Sequence, residues 1–446
     1  MSISIVQKSD LSKPKRHPRV ALVLAGGAVS GGAFKLGGLI ALNRFLRNRK
    51  VTDFDLYVGV SAGALIGSFL SAGFSPEELL RGIDGRSLRL NQLKVYDFYW
   101  PAWGEYVSRT GRLLRDAVTI WPAIGTEMLR HLGAHNVEVK RRFLDFLARP
   151  GYGTLERVIG PLVSDMMRGT PIPQAGRYLP AGLFETSRLE QFVRTNFARN
   201  HVPNDFRILH RERGNSLYIA ASNLNTAMGT VFGHDMDHTA SISEAVQASV
   251  AIPGFYVPVK IRGEEYLDGQ IRKTASASFA MHKGANLIIL YNPLRPFMNR
   301  SRYQLKPTVA SLSDMGFVTV VDQAVRTMLQ TRLYLGLEKL KLDPDFTGDL
   351  ILIEPTETDA EFFSMNPLSF WNRGTAARHG FNSVRRSLER NATEIQRILS
   401  AYGLESDLTG LESSLGEAPV GDRQATEPSV EPAAKPAHRP RLSVVK

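Results

Sequence analysis

No cysteine occurs anywhere in the chain. That excludes disulfides, thiol catalysis and zinc–thiolate sites, and it suits a reducing compartment, so a cytoplasmic protein is expected. A clean membrane-spanning run is also lacking. The nearest approach is VALVLAGGAVSGGAFKLGGLIAL at 20–42, which follows a basic cluster of Lys13, Lys15, Arg16 and Arg19 in the manner of a signal peptide. Six glycines fall between Gly26 and Gly38, however, and Lys35 interrupts the apolar run. A leader or spanning helix would keep that run apolar, so neither is expected; a buried strand, a glycine-rich loop and a helix account for the stretch. Acidic residues do not offset the 55 Lys and Arg, and the net charge is +12. Such a surplus favours anionic partners. The candidates are phospholipid surfaces, acidic substrates and nucleic acid; the basic residues are dispersed and form no recognisable nucleic-acid module, so nucleic acid is not expected, and a peripheral place on an anionic membrane surface is one of the expectations left. Metal-ligand spacing is missing too. His234, Asp235, Asp237 and His238 lie close together but read as a solvated loop, and no metal or cofactor is expected.

The 446 residues can hold one large α/β domain with appendages, or equally two domains. VALVLA at 20–25 has the length and branching of a fully buried strand, and apolar positions at helical spacing run from 33 to 46. LYVGV at 56–60 repeats the strand, and the small-residue run from Ala62 to Ala72 repeats the helix. Two such units in succession predict parallel strands with right-handed crossovers. In SPEELL at 75–80, Ser75 is placed to cap a helix, with Pro76 at its first position and Glu78 closing a capping box. Further strands are expected at 216–222, 256–261, 286–291 and 350–354, and helices at 243–250 and 318–341.

Between 90 and 180 the rhythm stops. This stretch is aromatic, basic and helical in pattern with no convincing strand, and it reads as an inserted helical cap. Within it, residues 96–121 carry Trp100, Trp103 and Trp121, followed from 109 by Arg109, Arg112 and Arg115 at helical spacing. Such a segment either docks on anionic membrane or completes the core. The chain therefore divides into a basic arm (1–19), a main α/β domain in two pieces (20–89 and 181–355), the cap (90–180), a C-terminal helical region (356–411) and a proline-rich tail (412–446) expected to be disordered.

Residues 57–65, YVGVSAGAL, hold a G-x-S-x-G pattern centred on Ser61. Alone the pattern is weak. At the junction of a strand and a helix it gains a reason, because a serine on a sharp strand-to-helix turn needs small neighbours, and Gly59 and Gly63 supply them. The helix start behind it favours a developing negative charge. Beside it, AGGAVSGGAF at 25–34 leaves the first strand as a glycine-rich loop whose backbone can face a bound carbonyl. Close helix–sheet packing and dinucleotide binding are the other readings of that loop. Further on, a strand leads to Asp268-Gly269, a candidate base or a plain turn.

Taken together these motifs resemble the patatin-like phospholipase family, whose signature is a glycine-rich oxyanion loop, a G-x-S-x-G elbow and a D-G-G or D-G-A motif. The stretch ASVAIPGFYVPV before YLDGQ, and YIAASNLNTAMGTVFG at 218–233, are similar to the family's approach to its aspartate. The resemblance covers roughly 20–83 and 183–342. It implies a three-layer α/β/α sandwich with a mostly parallel central sheet. It also implies a phospholipase A-type lipid acyl hydrolase, with Ser61 as nucleophile, Asp268 as general base without a histidine, and an oxyanion hole from Gly26, Gly27 and Ala28. The chain departs from the pattern at four places. Ala28 stands for a third glycine, Val29 and Ser30 replace an alanine and a basic residue, and Gln270 replaces a small residue. The alternatives are a Ser-His-Asp α/β-hydrolase using His282 or His379, which follow Asp268, and a catalytically impaired lipid-binding protein on the same fold.

Overall fold

The computed structural model of the protein describes residues 3–116, positions 118, 141, 144, 145 and 148, residues 175–299 apart from 273, residues 311–412 apart from 357 and 358, and residue 415. Most of the expected cap, Trp121 with it, and the tail beyond 415 lie outside the described residues. The strands in chain order are β1 (Ile3–Gln7), β2 (Val20–Leu24), β3 (Leu56–Val60), β4 (Trp100–Pro101), β5 (Gly182–Glu185), β6 (Ser216–Asn223), β7 (Gly229–Gly233), β8 (Gly254–Tyr256), β9 (Val259–Ile261), β10 (Glu264–Asp268), β11 (Leu287–Tyr291) and β12 (Asp349–Ile353).

Nine of them form one sheet in the order β1-β12-β11-β2-β3-β6-β10-β9, with β7 also paired to β6. The five central strands, β12, β11, β2, β3 and β6, run parallel to one another and are buried throughout. Burial on both faces is why they read in the sequence as unbroken apolar runs. Alternate residues feed two cores. Leu22 and Leu24 join α1 (Ala28–Phe45) and α2 (Ala62–Ser71) on one face, and Ala21 and Val23 meet Leu333, Leu337 and Leu340 of the helix Phe317–Leu342 on the other. The result is a three-layer sandwich.

Several expectations are corrected. The helix after β2 begins at Ala28, inside the presumed loop, because the carbonyl of Pro367 accepts from the Val29 and Ser30 N–H groups at 3.1 and 3.0 Å and so caps the first turn from outside. The strand expected at 256–261 is two strands in two sheets: Pro258 has no N–H to continue a ladder, so β8 pairs with β5 while β9 pairs with β10. Part of the N-terminal arm is β1, which closes the sheet edge antiparallel to β12. The stretch read as strandless contains β4, paired with β5. At the helix Pro76–Ile83, Ser75 caps the Glu78 N–H as expected, while the Glu78 carboxylate accepts from the Ser87 hydroxyl. Among the described residues no helix is long and apolar enough to cross a membrane.

The C-terminal helix Arg373–Arg390 crosses α1 at backbone contact. A Cβ on Gly37 would collide with the Ala377 carbonyl, and one on Gly380 with the Phe34 carbonyl. The C-terminal region is thus a wall of the main domain. Gly380→Ala is expected to lose about 1–3 kcal/mol by overpacking. Gly336→Ala, in the interior of the helix Phe317–Leu342 with open space at its Cα, is expected to gain about 0.5–1 kcal/mol from helix propensity. Urea unfolding midpoints of the two variants check this, and equal midpoints would mean that the crossing is looser than described.

Candidate active site

β3 ends at Val60, opposite Ala220 of β6, and the next residue turns the chain into α2. That residue is Ser61, held at φ 55° and ψ −129°, a strained conformation for any side chain. The two flanking glycines make the turn passable. A Cβ on Gly59 would stand 2.6 Å from Cα of Ala64, and one on Gly63 would strike the Leu24 carbonyl. A third group ties the turn down. The Ser61 N–H donates to Ser249 Oγ at 2.8 Å, and that hydroxyl donates to the Ala220 carbonyl at 2.7 Å.

β10 meets β6 one residue further on, with Asp268 opposite Ala221. Its N–H donates to the Ala251 carbonyl at 2.9 Å. Gly269 presses on the Ala220 carbonyl so closely that a Cβ would collide with it. Ser61 and Asp268 are both buried, and the Ser61 hydroxyl lies close enough to the Asp268 carboxylate to bear on its pKa. Burial pushes the Asp268 pKa up to about 6. The nearby Ser61 hydroxyl, the hydrogen bond from the Gln270 N–H (2.8 Å) and the charge of Lys35 hold the rise back.

Ala28 sits at φ 50°, in the left-handed region, which accounts for the glycine that the resemblance has at this position. Among the described residues no hydrogen bond takes up the N–H groups of Gly26, Gly27 or Ala28. The Gln270 amide lies where a Cβ of Gly26 would be, and its Nε2 is buried without a partner. Arg332 clamps this turn from behind, donating to the carbonyls of Gln270, at 2.8 Å, and Ile271.

Ser61, Ala28 and Val29 line an apolar cavity walled by Leu36, Ile66, Phe69, Phe192 and Phe370, with Arg373 the one charged residue on it among the described residues. The histidines are engaged elsewhere. His282 Nδ1 is 2.6 Å from the Ser278 carbonyl, and His379 Nε2 is 3.1 Å from Glu361. His234 stacks on His210 at 3.8 Å, and Lys283 holds Asp235 at 2.8 Å. In the 96–121 segment, Arg188 covers Trp100 at 4.1 Å, Arg109 pairs with Glu105 and Arg115 with Asp116, while Trp103 is 61% exposed.

A family model described as patatin-like phospholipase matches residues 22–280, more than half of the 446 residues. The chain belongs to that family. Lipid-ester hydrolysis is the activity this membership supports. No curated protein sequence matches the chain significantly. Solved structures similar to this patatin-like protein include VipD from Legionella pneumophila (17% identity, 87% of this chain and 70% of that one, TM-score 0.37). Human GIVD cytosolic phospholipase A2 in complex with methyl γ-linolenyl fluorophosphonate is another (11%, 86% and 60%, TM-score 0.33). A third is full-length ExoU with SpcU from Pseudomonas aeruginosa (16%, 94% and 68%, TM-score 0.26). These likenesses are too distant to carry an argument about this site.

Two residues escaped the motif reading, Ser249 and Lys35. Ser249 ends a helix, Ile242–Ser249, whose other inward positions include Ala245, Val246 and Ala248; it falls within the ASVAIPGF stretch, which drew notice for its approach to Asp268 and not for this serine. Replacing Ser249 by Ala strands a buried N–H and a buried carbonyl, each costing about 1–3 kcal/mol. Ser249→Ala is therefore expected to lower the urea midpoint and to slow hydrolysis together. An unchanged rate in the folded variant would remove the strut from the catalytic account.

Proposed function

We propose that the protein is a phospholipase A-type lipid acyl hydrolase that cleaves carboxylic esters through Ser61 and Asp268 and an acyl-enzyme. The observation that supports it is the meeting of Ser61 and Asp268 at adjacent positions of β6, both buried, with Ser61 in the wall of an apolar cavity. The acyl chain lies in the cavity and the ester carbonyl faces the Gly26–Ala28 loop. Ser61 Oγ attacks the carbonyl carbon as its proton passes to the Asp268 carboxylate, and the oxyanion is met by the N–H groups of Gly26, Gly27 and Ala28, each worth about 3 kcal/mol. The proton then goes to the leaving alcohol oxygen, and the acyl group stays on Ser61. Water attacks next, losing its proton to Asp268, and collapse of the second intermediate returns that proton to Ser61 as the fatty acid leaves.

A carboxylate with an ordinary pKa is a feeble base for a serine hydroxyl. Burial raises that of Asp268 to about 6, which strengthens it as a base while leaving it ionised at neutral pH. Two consequences have opposite signs. Catalysis needs the ionised form, so kcat/KM rises with pH through about 6, well above the normal aspartate range. Stability behaves the other way: the native state holds this proton more tightly than the unfolded chain, so the contribution is present at low pH and is lost as pH rises through about 6.

Ser61→Ala and Asp268→Asn are each expected to lower kcat by about 10⁴-fold, with the double variant no worse than either alone. Asp268→Asn, which removes a buried charge, is expected to keep a wild-type or higher Tm at pH 7.5. His282→Gln and His379→Gln are expected to cost less than about tenfold. Hydrolysis of a phosphatidylcholine substrate by the five variants and the parent measures this. A near-wild-type rate in Asp268→Asn, or collapse in either histidine variant, would move the site to a Ser-His-Asp triad, and an inactive parent would leave a lipid-binding protein.

A further inference from the structure

Lys35 lies in α1 and is fully buried. Its ammonium donates to the carbonyls of Ala25 and, at 3.3 Å, Gly26. These partners are neutral carbonyls, so the charge itself is not paired at contact distance, an expensive arrangement that an apolar side chain of similar length would avoid. The reaction outlined above gives this cation no task.

Its two partners are the carbonyls that open the glycine-rich loop. In a trans peptide the C=O and the following N–H point in opposite directions. Drawing the Ala25 and Gly26 carbonyls toward Lys35 therefore turns the Gly26 and Gly27 N–H groups away from it, and these are among the loop donors without a protein partner. The same cation acts on the base. The groups facing Asp268 are the Ser61 hydroxyl, the Gln270 N–H and Lys35, and Asp268 is the ionisable group whose charge Lys35 feels. Desolvation draws the Lys35 pKa down to about 7, with the Asp268 charge opposing. Ser30 stands where the family resemblance places a basic residue, and Lys35 brings a cation to the loop from within the helix instead.

We propose that Lys35 is a positioning residue for acyl transfer, aiming the Gly26 and Gly27 N–H groups at the oxyanion and favouring the ionised form of Asp268. The proposal rests on the Ser61–Asp268 reading.

The test is hydrolysis of p-nitrophenyl butyrate by the full chain from pH 4.5 to 9, for the parent, Lys35→Met, Lys35→Gln and Ser61→Ala, with Tm for each. Lys35→Met is expected to keep its Tm and KM, to lose roughly tenfold to hundredfold in kcat through misaimed donors, and to move the acid limb of kcat/KM upward as the carboxylate loses its cation. Lys35→Gln retains an amide donor without the charge, and is expected to move the acid limb as far while losing less kcat. A folded Lys35→Met with kcat within about twofold of the parent and an unmoved acid limb would overturn the proposal. Failure of both Lys35 variants to fold would overturn it as well, by making Lys35 a packing residue. Full activity in Ser61→Ala would instead remove the nucleophile reading and leave the Lys35 data to be judged without it.

Discussion

Between Ala220 and Ala221 the partner of β6 changes from β3 to β10. β3 pairs up to Val60, opposite Ala220, and β10 ends with Asp268 opposite Ala221. The two strands meet β6 at adjacent residues, and each carries one of the proposed catalytic residues where it stops or turns. The segment from Ser249 to Ala251 holds both as well, Ser249 Oγ accepting from the Ser61 N–H and the Ala251 carbonyl from the Asp268 N–H. The tightness of the junction dictates its composition. Gly269 must lack a side chain because it presses on the Ala220 carbonyl, and Ser249 must carry a hydroxyl because that carbonyl and the Ser61 N–H need a common partner.

The remainder of the site is arranged around that junction by burial. The cavity beside Ser61, which in the proposed reaction takes the acyl chain, is apolar, and the same low-dielectric surroundings lift the Asp268 pKa to about 6. One physical cause thus serves binding and basicity at once. The cost of burying polar groups is met locally, by Lys35 on the loop carbonyls, by Arg332 behind the Gln270 turn and by Pro367 over the first turn of α1. Pro367, Leu368, Phe370 and Arg373 all come from beyond residue 280, so part of this site is built by sequence outside the family match.

Much of this was legible in the sequence, for definite reasons. β2, β3, β11 and β12 are buried on both faces and appear as short unbroken apolar runs, and Ser61 and Asp268 sit in motifs whose glycines are forced by backbone contact. What was hidden depended on partners far along the chain. The start of α1 at Ala28 looks like loop until Pro367 is seen to cap it, and β8 and β9 look like one strand until each is paired. β1 is only partly buried and precedes a basic cluster, and reads as an arm until β12 claims it. Ser249 and Lys35 were illegible for a related reason: a buried polar residue in an apolar stretch looks like an interruption, and only the carbonyls it serves show its use.

The central claim is that Ser61 is the nucleophile and that Asp268 alone activates it. Peptide mapping by mass spectrometry after treatment with a long-chain alkyl fluorophosphonate tests it most directly. One phosphonyl group is expected on the peptide containing Ser61 in the parent. In Asp268→Asn the labelling rate is expected to fall by orders of magnitude, and in His282→Gln and His379→Gln it is expected to stay near that of the parent. Modification of a different serine, or undiminished labelling of Ser61 in Asp268→Asn, would contradict the account.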